Sequence, residues 1–413
     1  MKIIVIGAGA AGMIAAGRAA EDAEKVILIE RNGFFGKKLR ITGKGRCNIT
    51  NSADIEDMIN MYPTNPKFLY SALYTFTNDD IVRLLEQYGV KTKTERGGRI
   101  FPVSDKAEDV VKALRKYALK DNVSVITARV KNITVENGAV RGVKLAGKNI
   151  YADRVIVCTG GVSYPQTGSE GDGYDFAKSA GHTVTEIKPS LVPIVTEEKW
   201  VKDVMGLSLK NAAVSVFDQK GRRVYEDFGE MLFTHFGVSG PVVLSMSAHL
   251  KNIGKEHYRL EIDLKPALSE EQLDIRILRD FEKYRKKHLI NALDDLLPKA
   301  LIPVIVEMSG IEPHKAVCEI TRAERAVLAE KIKRLTLTLV KFRPVAEAIV
   351  TSGGVKVSEI NPSTMESKKV KGLYFAGEVI DVDGYTGGFN LQAAFSTGYL
   401  AGMSAAQTEN YTH

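Results

Sequence analysis

The N-terminal thirty residues contain the pattern that most restricts the fold of this chain. A short apolar run leads directly into Gly7-x-Gly9-x-x-Gly12. The first glycine allows a tight turn out of a strand, the second lets a pyrophosphate approach the backbone, and the third lets the following helix pack close to a sheet. A second apolar run ends in Glu30, whose carboxylate suits the hydroxyls of an adenosine ribose. The pattern therefore predicts a βαβ unit that binds a dinucleotide.

Composition limits the class of protein. Of 413 residues, 44% are hydrophobic and 26% are charged, which is typical of a globular chain, and the length predicts two or three domains. Three distant cysteines exclude a disulfide framework and a dithiol centre, and they favour a cytoplasmic location. The seven histidines lack HxH or HExxH spacing, so no metal site is predicted. No apolar run is long enough to span a membrane, and Arg18 interrupts the N-terminal one.

The chain carries a small excess of positive charge. Lys and Arg number 57 and Asp and Glu 50, which gives a net charge of +7. The densest basic run, Arg279 to Lys287, contains Asp280 and Glu282, as solvated helix faces commonly do. This distribution argues against nucleic acid as a partner and favours a small-molecule substrate.

Hydrophobic periodicity divides the chain into segments. Residues 1–190 and 350–413 are predicted to form one α/β nucleotide-binding domain, with an insertion between them. Within the insertion, 191–267 and 336–349 are predicted to form a β-barrel or sandwich, and 268–335 a helical subdomain. In the first segment, Asn137-Gly138 between two apolar runs predicts a β-hairpin turn.

A polar, glycine-rich loop, residues 36–51, stands where a simple dinucleotide-binding dehydrogenase would continue with a helix. Such a density of donors suits an extended polyanion or the polar edge of a ring, which favours FAD over NAD; a mobile basic surface loop is the alternative. Near the other chain end, residues 371–378 predict a strand that ends in Glu378, and Gly388 opens a helix of small residues. The cations of the loop are Lys37, Lys38, Arg40, Lys44 and Arg46, and its neutral donors are Thr42, Asn48, Thr50 and Asn51.

These segments together resemble a known family. The resemblance rests on five segments: GAGAAG with Glu30, KKLRITGKGRCNITN, CTGG, GSEGDGYDFAKSAGH and GLYFAGEVIDVDGYTGGFNLQAAFSTG. They are similar to segments of the bacterial NAD(P)/FAD-dependent oxidoreductases that include 3-dehydro-bile acid reductase and aminoacetone oxidase. The resemblance covers essentially the whole chain. It implies a Rossmann-like FAD-binding domain of the glutathione-reductase type and a tight, non-covalent FAD.

The resemblance also implies roles for individual residues. The pyrophosphate would lie on Gly7 to Gly12 and the adenosine ribose on Glu30, with the backbone of Val130 at the adenine. Glu378 departs from the usual Asp of wider flavoproteins, which leaves its contact with the ribityl chain open. The implied FAD-binding residues are Gly7, Gly9, Ala10, Ala11, Gly12, Glu30, Arg31, Lys38, Thr42, Gly43, Gly45, Arg46, Cys47, Asn48, Val130, Thr159, Gly160, Gly161, Gly377, Glu378, Gly388, Phe389, Asn390 and Leu391.

The sequence contains several candidate proton donors for flavin chemistry and does not single out one of them. The candidates are Arg46, Tyr164, His235 and Tyr385, although Tyr164 could simply pack on the flavin and His235 could be a buried, hydrogen-bonded residue of a turn. A second dinucleotide fingerprint is missing, so a nicotinamide would visit the open face of the flavin as a transient co-substrate.

The predicted activity is NAD(P)H-linked reduction of an activated C=C bond, such as that of a steroid-like enone. An amine oxidase that uses O2 is the alternative, and a flavin-binding regulatory or RNA-binding protein that uses the basic segments 279–287 and 331–334 is a remote one. The sequence leaves substrate, NADH or NADPH, and monomer or homodimer open.

Overall fold

The computed structural model describes residues 1–250 and 253–407. The strands are β1 (Lys2–Ile6), β2 (Lys25–Glu30), β3 (Thr50–Asn51), β4 (Thr92–Glu95), β5 (Arg99–Pro102), β6 (Val123–Thr127), β7 (Asn132–Glu136), β8 (Ala139–Leu145), β9 (Lys148–Tyr151), β10 (Arg154–Val157), β11 (Lys188–Ser190), β12 (Ile194–Thr196), β13 (Ser208–Phe217), β14 (Arg223–Thr234), β15 (Gly237–Ser239), β16 (Tyr258–Asp263), β17 (Leu335–Phe342), β18 (Val350–Ser352) and β19 (Leu373–Phe375).

The α-helices are fewer and mostly short. They are α1 (Ala10–Ala19), α2 (Ile55–Asn60), α3 (Tyr70–Thr75), α4 (Asn78–Gln87), α5 (Ala107–Ala118), α6 (Asp172–Ser179), α7 (Pro241–Ser247), α8 (Glu270–Lys283), α9 (Ile302–Ser309), α10 (Arg322–Lys333) and α11 (Phe389–Ala406). None of these described helices has the length and apolar character needed to cross a membrane.

The chain folds into two compact units. One consists of Met1–Ser190 with Val345–His413, and the other of Leu191–Pro344. The core of the first unit is a parallel five-stranded sheet in the order β19-β10-β1-β2-β6. Its central strands are apolar without alternation because both faces are buried.

Helices from the two ends of the chain pack backbone to backbone in the first unit. A Cβ on Gly398 would collide with the backbone of Ala11, and one on Gly402 with the backbone of Ala15. The small residues of α1 and α11 therefore serve close helix packing. This contact joins segments that lie nearly 390 residues apart in the sequence.

Two small antiparallel sheets extend the first unit. The hairpin β7–β8 turns at Asn137 and Gly138, both with positive φ (50° and 73°), so the turn that the sequence predicts is present. The sheet β3-β5-β4 was not predicted, and it places residues 36–51 against the hairpin Thr92–Pro102. The loop predicted over 36–51 in fact contains a 3₁₀ segment, Leu39–Gly45, as well as β3.

The second unit is built around a closed antiparallel barrel in the order β12-β15-β14-β13-β16-β17. Strand β14 extends to Thr234, and β17 ends at Phe342, short of residue 349 where the predicted β segment ends. Helices α8, α9 and α10 contribute to one hydrophobic core with the barrel strands. The predicted fold class, a Rossmann-like domain with an inserted β domain, is confirmed.

Candidate cofactor site and active site

The turn after β1 has the geometry of a phosphate cradle. Gly7 has φ of 98°, and a Cβ on Gly12 would collide with the carbonyl of Gly7. Gly9 differs from both, because no atom lies within 4 Å of the place that its Cβ would take. No side chain caps the N-terminus of α1, which contains Ala10, Ala11 and Gly12, so its N–H groups are available to an anion.

Glu30 ends β2 beside this turn and is buried. One carboxylate oxygen accepts from the backbone N–H of Ala8 (2.7 Å), and the other from the backbone and side-chain N–H of Asn32 (2.8 Å each). These three bonds fix the carboxylate in the position where a ribose is expected. A carboxylate has about four acceptor positions, so acceptor capacity remains for ribose hydroxyls.

Arg31, which follows Glu30 in the sequence, forms ion pairs within the protein. Arg31 lies 3.0 Å from Glu170 and 3.6 Å from Asp172. Val130, expected at the adenine, is buried just after β6.

Lys38 belongs to a partly buried polar cluster that sequence reasoning missed. Its ammonium lies 2.6 Å from the carboxylate of Glu378 and 2.6 Å from the hydroxyl of Ser163. The other oxygen of Glu378 accepts from Ser163 (3.0 Å) and from the backbone N–H of Thr351 (2.9 Å). The longer side chain of Glu in place of Asp thus reaches Lys38. The adjacent Gly161 faces Thr351 and Glu378 so closely that a Cβ would not fit. Proximity of Ser163 to the TGG segment was the available signal.

The segment Thr42–Asn48 is held by the neighbouring hairpin. Gly43 and Gly45 have positive φ (56° and 85°), which shapes the turn. The guanidinium of Arg46 pairs with Glu95 (2.5 Å) and Asp105 (2.6 Å) and lies 4.2 Å from the ring centre of Phe101. The hydrogen bond to Glu95, followed by that to Asp105, raises the pKa of Arg46 further above its usual value, so this guanidinium keeps its charge.

Cys47 in the same segment is fully buried. Burial raises the pKa of its thiol to about 12, although a bond with Thr42 opposes this, and the thiol is therefore unreactive at neutral pH. Across the described residues, no group of three or more Cys, His, Asp and Glu side chains is arranged to hold a metal ion.

The C-terminal ends of β10 and β19 complete the site. Thr159 follows β10, and its buried hydroxyl has no hydrogen-bond partner in the part of the chain that the structure describes. Gly160 and Gly377 have positive φ (73° and 77°), and Gly377 donates its N–H to Thr397 (3.0 Å). The sheet therefore presents a buried polar atom at its ligand-binding edge.

Helix α11 begins at this edge without a side-chain cap. Its first residues are Phe389, Asn390 and Leu391, and Gly388 before them passes so close to the backbone of Thr50 that only glycine fits. The amide of Asn48, oriented to satisfy its hydrogen bonds, accepts from the N–H of Gly388 (3.0 Å). The helix N-terminus is positioned to stabilise negative charge on a ring edge.

The loop before α11 holds a buried carboxylate. Asp383 is 2% exposed, one of its oxygens accepts from Ser190 (2.6 Å), and the other has no partner among residues 1–250 and 253–407. Burial, and then the nearby Asp383, raise the pKa of Tyr385. Asn390 fixes this loop through bonds to Gly384 (2.7 and 2.8 Å) and to the carbonyl of Tyr385 (3.3 Å).

The remaining proposed donors differ in their surroundings. Tyr164 is half-buried with φ of 51°, and burial, followed by Glu347, raises its pKa. His235 lies in the turn between β14 and β15 of the second unit and is exposed. The interpretation of His235 as a buried, hydrogen-bonded residue is therefore wrong, because the two strands end before the turn and leave its ring at the surface.

A Ser–His–Glu arrangement lies elsewhere in the first unit. Ser367 is 2.7 Å from one ring nitrogen of His182, and Glu359 is 3.2 Å from the other. Ser367 also accepts from two backbone N–H groups, those of Lys369 and Val370, so its own hydrogen points to the imidazole. Because serine and histidine are both buried, this cluster is structural and not a nucleophile.

The residues present fit FAD. Four observations agree: the space at Gly9, the two uncapped helix N-termini, the buried and oriented Glu30, and the buried hydroxyl of Thr159 without a partner. Gly7 to Gly12 would hold the pyrophosphate, Glu30 the ribose and the start of α11 the ring edge.

Comparison with known proteins agrees with this site. Residues 1–404 match the HI0933-like protein Rossmann domain. The chain belongs to this HI0933-like family. A 3-dehydro-bile acid delta(4,6)-reductase of Clostridium scindens is 34% identical over 98% of this chain and 99% of its own. A ribosomal RNA dihydrouridine synthase of Haemophilus influenzae is 32% identical over 98% of both chains.

A solved structure shares the fold of this HI0933-like protein. The 3-ketosteroid delta1-dehydrogenase of Sterolibacterium denitrificans matches with a TM-score of 0.54 and 14% identity, over 98% of this chain and 99% of the other. Family membership and the cofactor cradle identify the chain as a FAD-dependent oxidoreductase.

Proposed function

We propose that this HI0933-like protein uses NAD(P)H to reduce a carbon–carbon double bond that is conjugated with a carbonyl group. The observation that carries the proposal is the full-length similarity to a reductase of 3-dehydro-bile acids, at 34% identity. FAD, when bound, supplies hydride transfer between a nicotinamide and a substrate carbon. The chain itself must bind the reactants and deliver a proton.

Tyr385 is the residue best placed to supply that proton. Reduction of a conjugated double bond adds a hydride at one carbon and a proton at the other. A tyrosine hydroxyl carries its proton at neutral pH, and burial, followed by the carboxylate of Asp383, raises the pKa of Tyr385 further. Its loop leads into α11, whose N-terminus is the proposed site of the ring edge, and this supports Tyr385 as the donor. Tyr164 is the second candidate, because it lies just after the Thr159-Gly160-Gly161 segment that is expected to pack against the cofactor.

The substrate we favour first is a small enone of the steroid type, in keeping with the C. scindens relative. The second candidate is a uridine base in ribosomal RNA, favoured by the relative from H. influenzae. The two substrates share one chemistry, because the C5=C6 bond of uracil is conjugated with the C4 carbonyl. Either substrate would accept a hydride at one carbon of this bond and a proton at the other, so the same proton donor would serve both.

An anaerobic titration with NADPH and with NADH tests the reductase half-reaction. We expect the flavin absorbance to bleach with at least one of them. The reduced protein is then mixed with a 3-oxo-Δ4 steroid, or with ribosomal RNA that lacks dihydrouridine, and the product is analysed by mass for a gain of two hydrogens. The variant Tyr385→Phe should retain bleaching and lose turnover of the substrate.

Two results would contradict the proposed reaction or the proposed proton donor. If the flavin stays oxidised with both nucleotides, and hydrogen peroxide forms with aminoacetone and O2, the protein is an amine oxidase and the proposal is overturned. If Tyr385→Phe turns over as fast as the wild type while Tyr164→Phe does not, the proton comes from Tyr164.

A further inference from the structure

The net positive charge of the chain is concentrated at one place in the fold. Loop 36–51 and the hairpin Thr92–Pro102 together contain eight cations and one acid, whereas the rest of the chain contains 49 of each. Strand β3 at the end of the loop pairs with β5 of the hairpin, so the two segments form one layer. We call the exposed side of this layer, together with the adjacent Phe34, the basic face.

The basic face is held together by an aromatic ring. Phe101 has the guanidinium of Arg46 at 4.2 Å and that of Arg99 at 5.8 Å from its ring centre. A Cβ on Gly43 would lie 3.3 Å from the same ring, so loop and hairpin are in direct contact. Cations from two distant stretches of sequence are thereby brought onto one surface.

Part of this charge is neutralised and part is free. Arg40 pairs with Glu108, and Arg46 with Glu95 and Asp105. Among the described residues, four cations of the basic face form no ion pair. They are Lys37, Lys44, Arg96 and Arg99.

An exposed aromatic side chain accompanies one of the free cations, Lys37. Phe34 is 51% exposed, with Lys37 and Arg40 at 5.9 and 5.6 Å from its ring centre, and Ile41 beside them is 45% exposed. Cations for phosphates next to an aromatic ring for a base are the combination by which proteins bind single-stranded nucleic acid.

The two basic segments that the sequence suggested for RNA binding differ from the basic face, because most of their cations form ion pairs. In 279–287, Lys283 pairs with Asp295 and Arg285 with Glu282. In 331–334, Lys333 pairs with Asp263 and Arg334 with Glu270. Because those charges are largely matched, these helices are poor phosphate-binding surfaces.

We propose that the basic face binds the phosphate backbone of an RNA substrate, next to the cofactor site. The proposal rests on the second candidate substrate given above. Loop 36–51 contains Asn48, whose amide contacts Gly388 at the start of α11. Phosphates held on the basic face would therefore lie beside the ring edge, where an unstacked base must enter.

A charge-reversal pair tests this surface. The variant Lys37→Glu/Arg96→Glu is compared with Lys286→Glu/Lys287→Glu, which makes the same charge change at exposed positions outside the basic face. Binding of purified ribosomal RNA to the FAD-loaded protein is measured over a range of salt concentrations. We expect the first variant to bind at least about tenfold more weakly, with a salt slope reduced by about 1.4 for two single-strand phosphates. The control should match the wild type.

A second variant tests the aromatic part. Phe34→Ala should weaken RNA binding by about 5- to 150-fold without changing the salt slope, since stacking is not electrostatic. Flavin absorbance and bleaching by NAD(P)H are recorded for every variant, so that damage to the cofactor site is recognised.

Three results would overturn the proposal: equal loss in the control pair, no loss in the basic-face pair, or loss of nucleotide-driven bleaching with RNA affinity intact. The last would assign the surface to the pyridine nucleotide. Because RNA binding is measured without turnover, the two proposals fail separately. Reduction of a steroid enone with no RNA binding refutes only the surface, and RNA binding on the basic face with no reduced base refutes only the reaction.

Discussion

Gly9 is the position where cofactor binding and folding can be separated by one substitution. Apart from its neighbours in the chain, no described atom lies within 4 Å of its Cβ position, and its φ is −82°, so a Cβ there meets neither a packed neighbour nor a strained backbone. We expect Gly9→Val to leave the free energy of unfolding of the apoprotein within about 1 kcal/mol of the wild type. The same side chain would occupy the approach of the pyrophosphate to the N-terminus of α1.

The loss of FAD affinity follows from the bonds that are blocked. A hydrogen bond to a charged group contributes about 1.5–3 kcal/mol, so the loss of two from the start of α1 costs about 3–6 kcal/mol. This corresponds to a Kd for FAD that is about 10²- to 10⁴-fold higher. The assay is titration of the apoprotein with FAD, followed by flavin fluorescence, together with urea unfolding of the apoprotein.

Two further glycines serve as controls for Gly9→Val. Gly33 also has no neighbour within 4 Å but lies in the exposed loop after β2, so Gly33→Val should change neither FAD affinity nor stability. Gly12→Val should destabilise the apoprotein itself, because its Cβ would collide with Gly7. If Gly9→Val binds FAD as tightly as Gly33→Val, the cradle is not where the pyrophosphate lies, and the reasoning fails.

Three other predictions concern the Lys38–Glu378 ion pair, His182 and the three cysteines. A double-mutant cycle with Lys38→Met and Glu378→Gln should give a coupling free energy of about 1–3 kcal/mol by urea unfolding, and a value near zero would contradict the pair seen here. Burial lowers the pKa of His182 despite the nearby Glu359, so the folded state resists the proton that the unfolded state takes up near pH 6.5. Stability should therefore fall as pH drops below about 6.5, and His182→Gln should remove that part of the pH dependence; an unchanged profile in the variant would refute the assignment. Under native conditions only Cys318 should react with a thiol reagent, and all three cysteines should react in urea; two fast native thiols would contradict the burial of the others.

The sequence predicts best those features that local backbone geometry enforces. The turn Gly7 to Gly12 and the Asn137-Gly138 hairpin require particular φ values or close approaches, and only a few residues meet them. Sheet β3-β5-β4 was missed because β4 reads Thr-Lys-Thr-Glu, which is short, polar and without apolar alternation. Its strands form through pairing with each other rather than through their own hydrophobic pattern.

The polar clusters of the site could not be predicted for a related reason. Lys38 and Glu378 are 340 residues apart, and neither neighbourhood specifies a partner. The ion pairs of Arg46 were not predicted either, because its partners Glu95 and Asp105 come from the unpredicted hairpin and the residues just after it. Long-range ion pairs depend on topology, which the local pattern of residues does not encode.

The close contact between α1 and α11 also determines when the protein can acquire its cofactor during synthesis. Strand β1 and helix α1 are made nearly 390 residues before Gly398 and Gly402, which pack on α1. Domains form from the N-terminus as the chain is made, at about 5–20 residues per second, and a contact of such large sequence separation closes slowly. Until α11 has been made, the cradle at α1 lacks the helix N-terminus proposed for the ring edge, so we expect FAD to bind only after α11 has been translated.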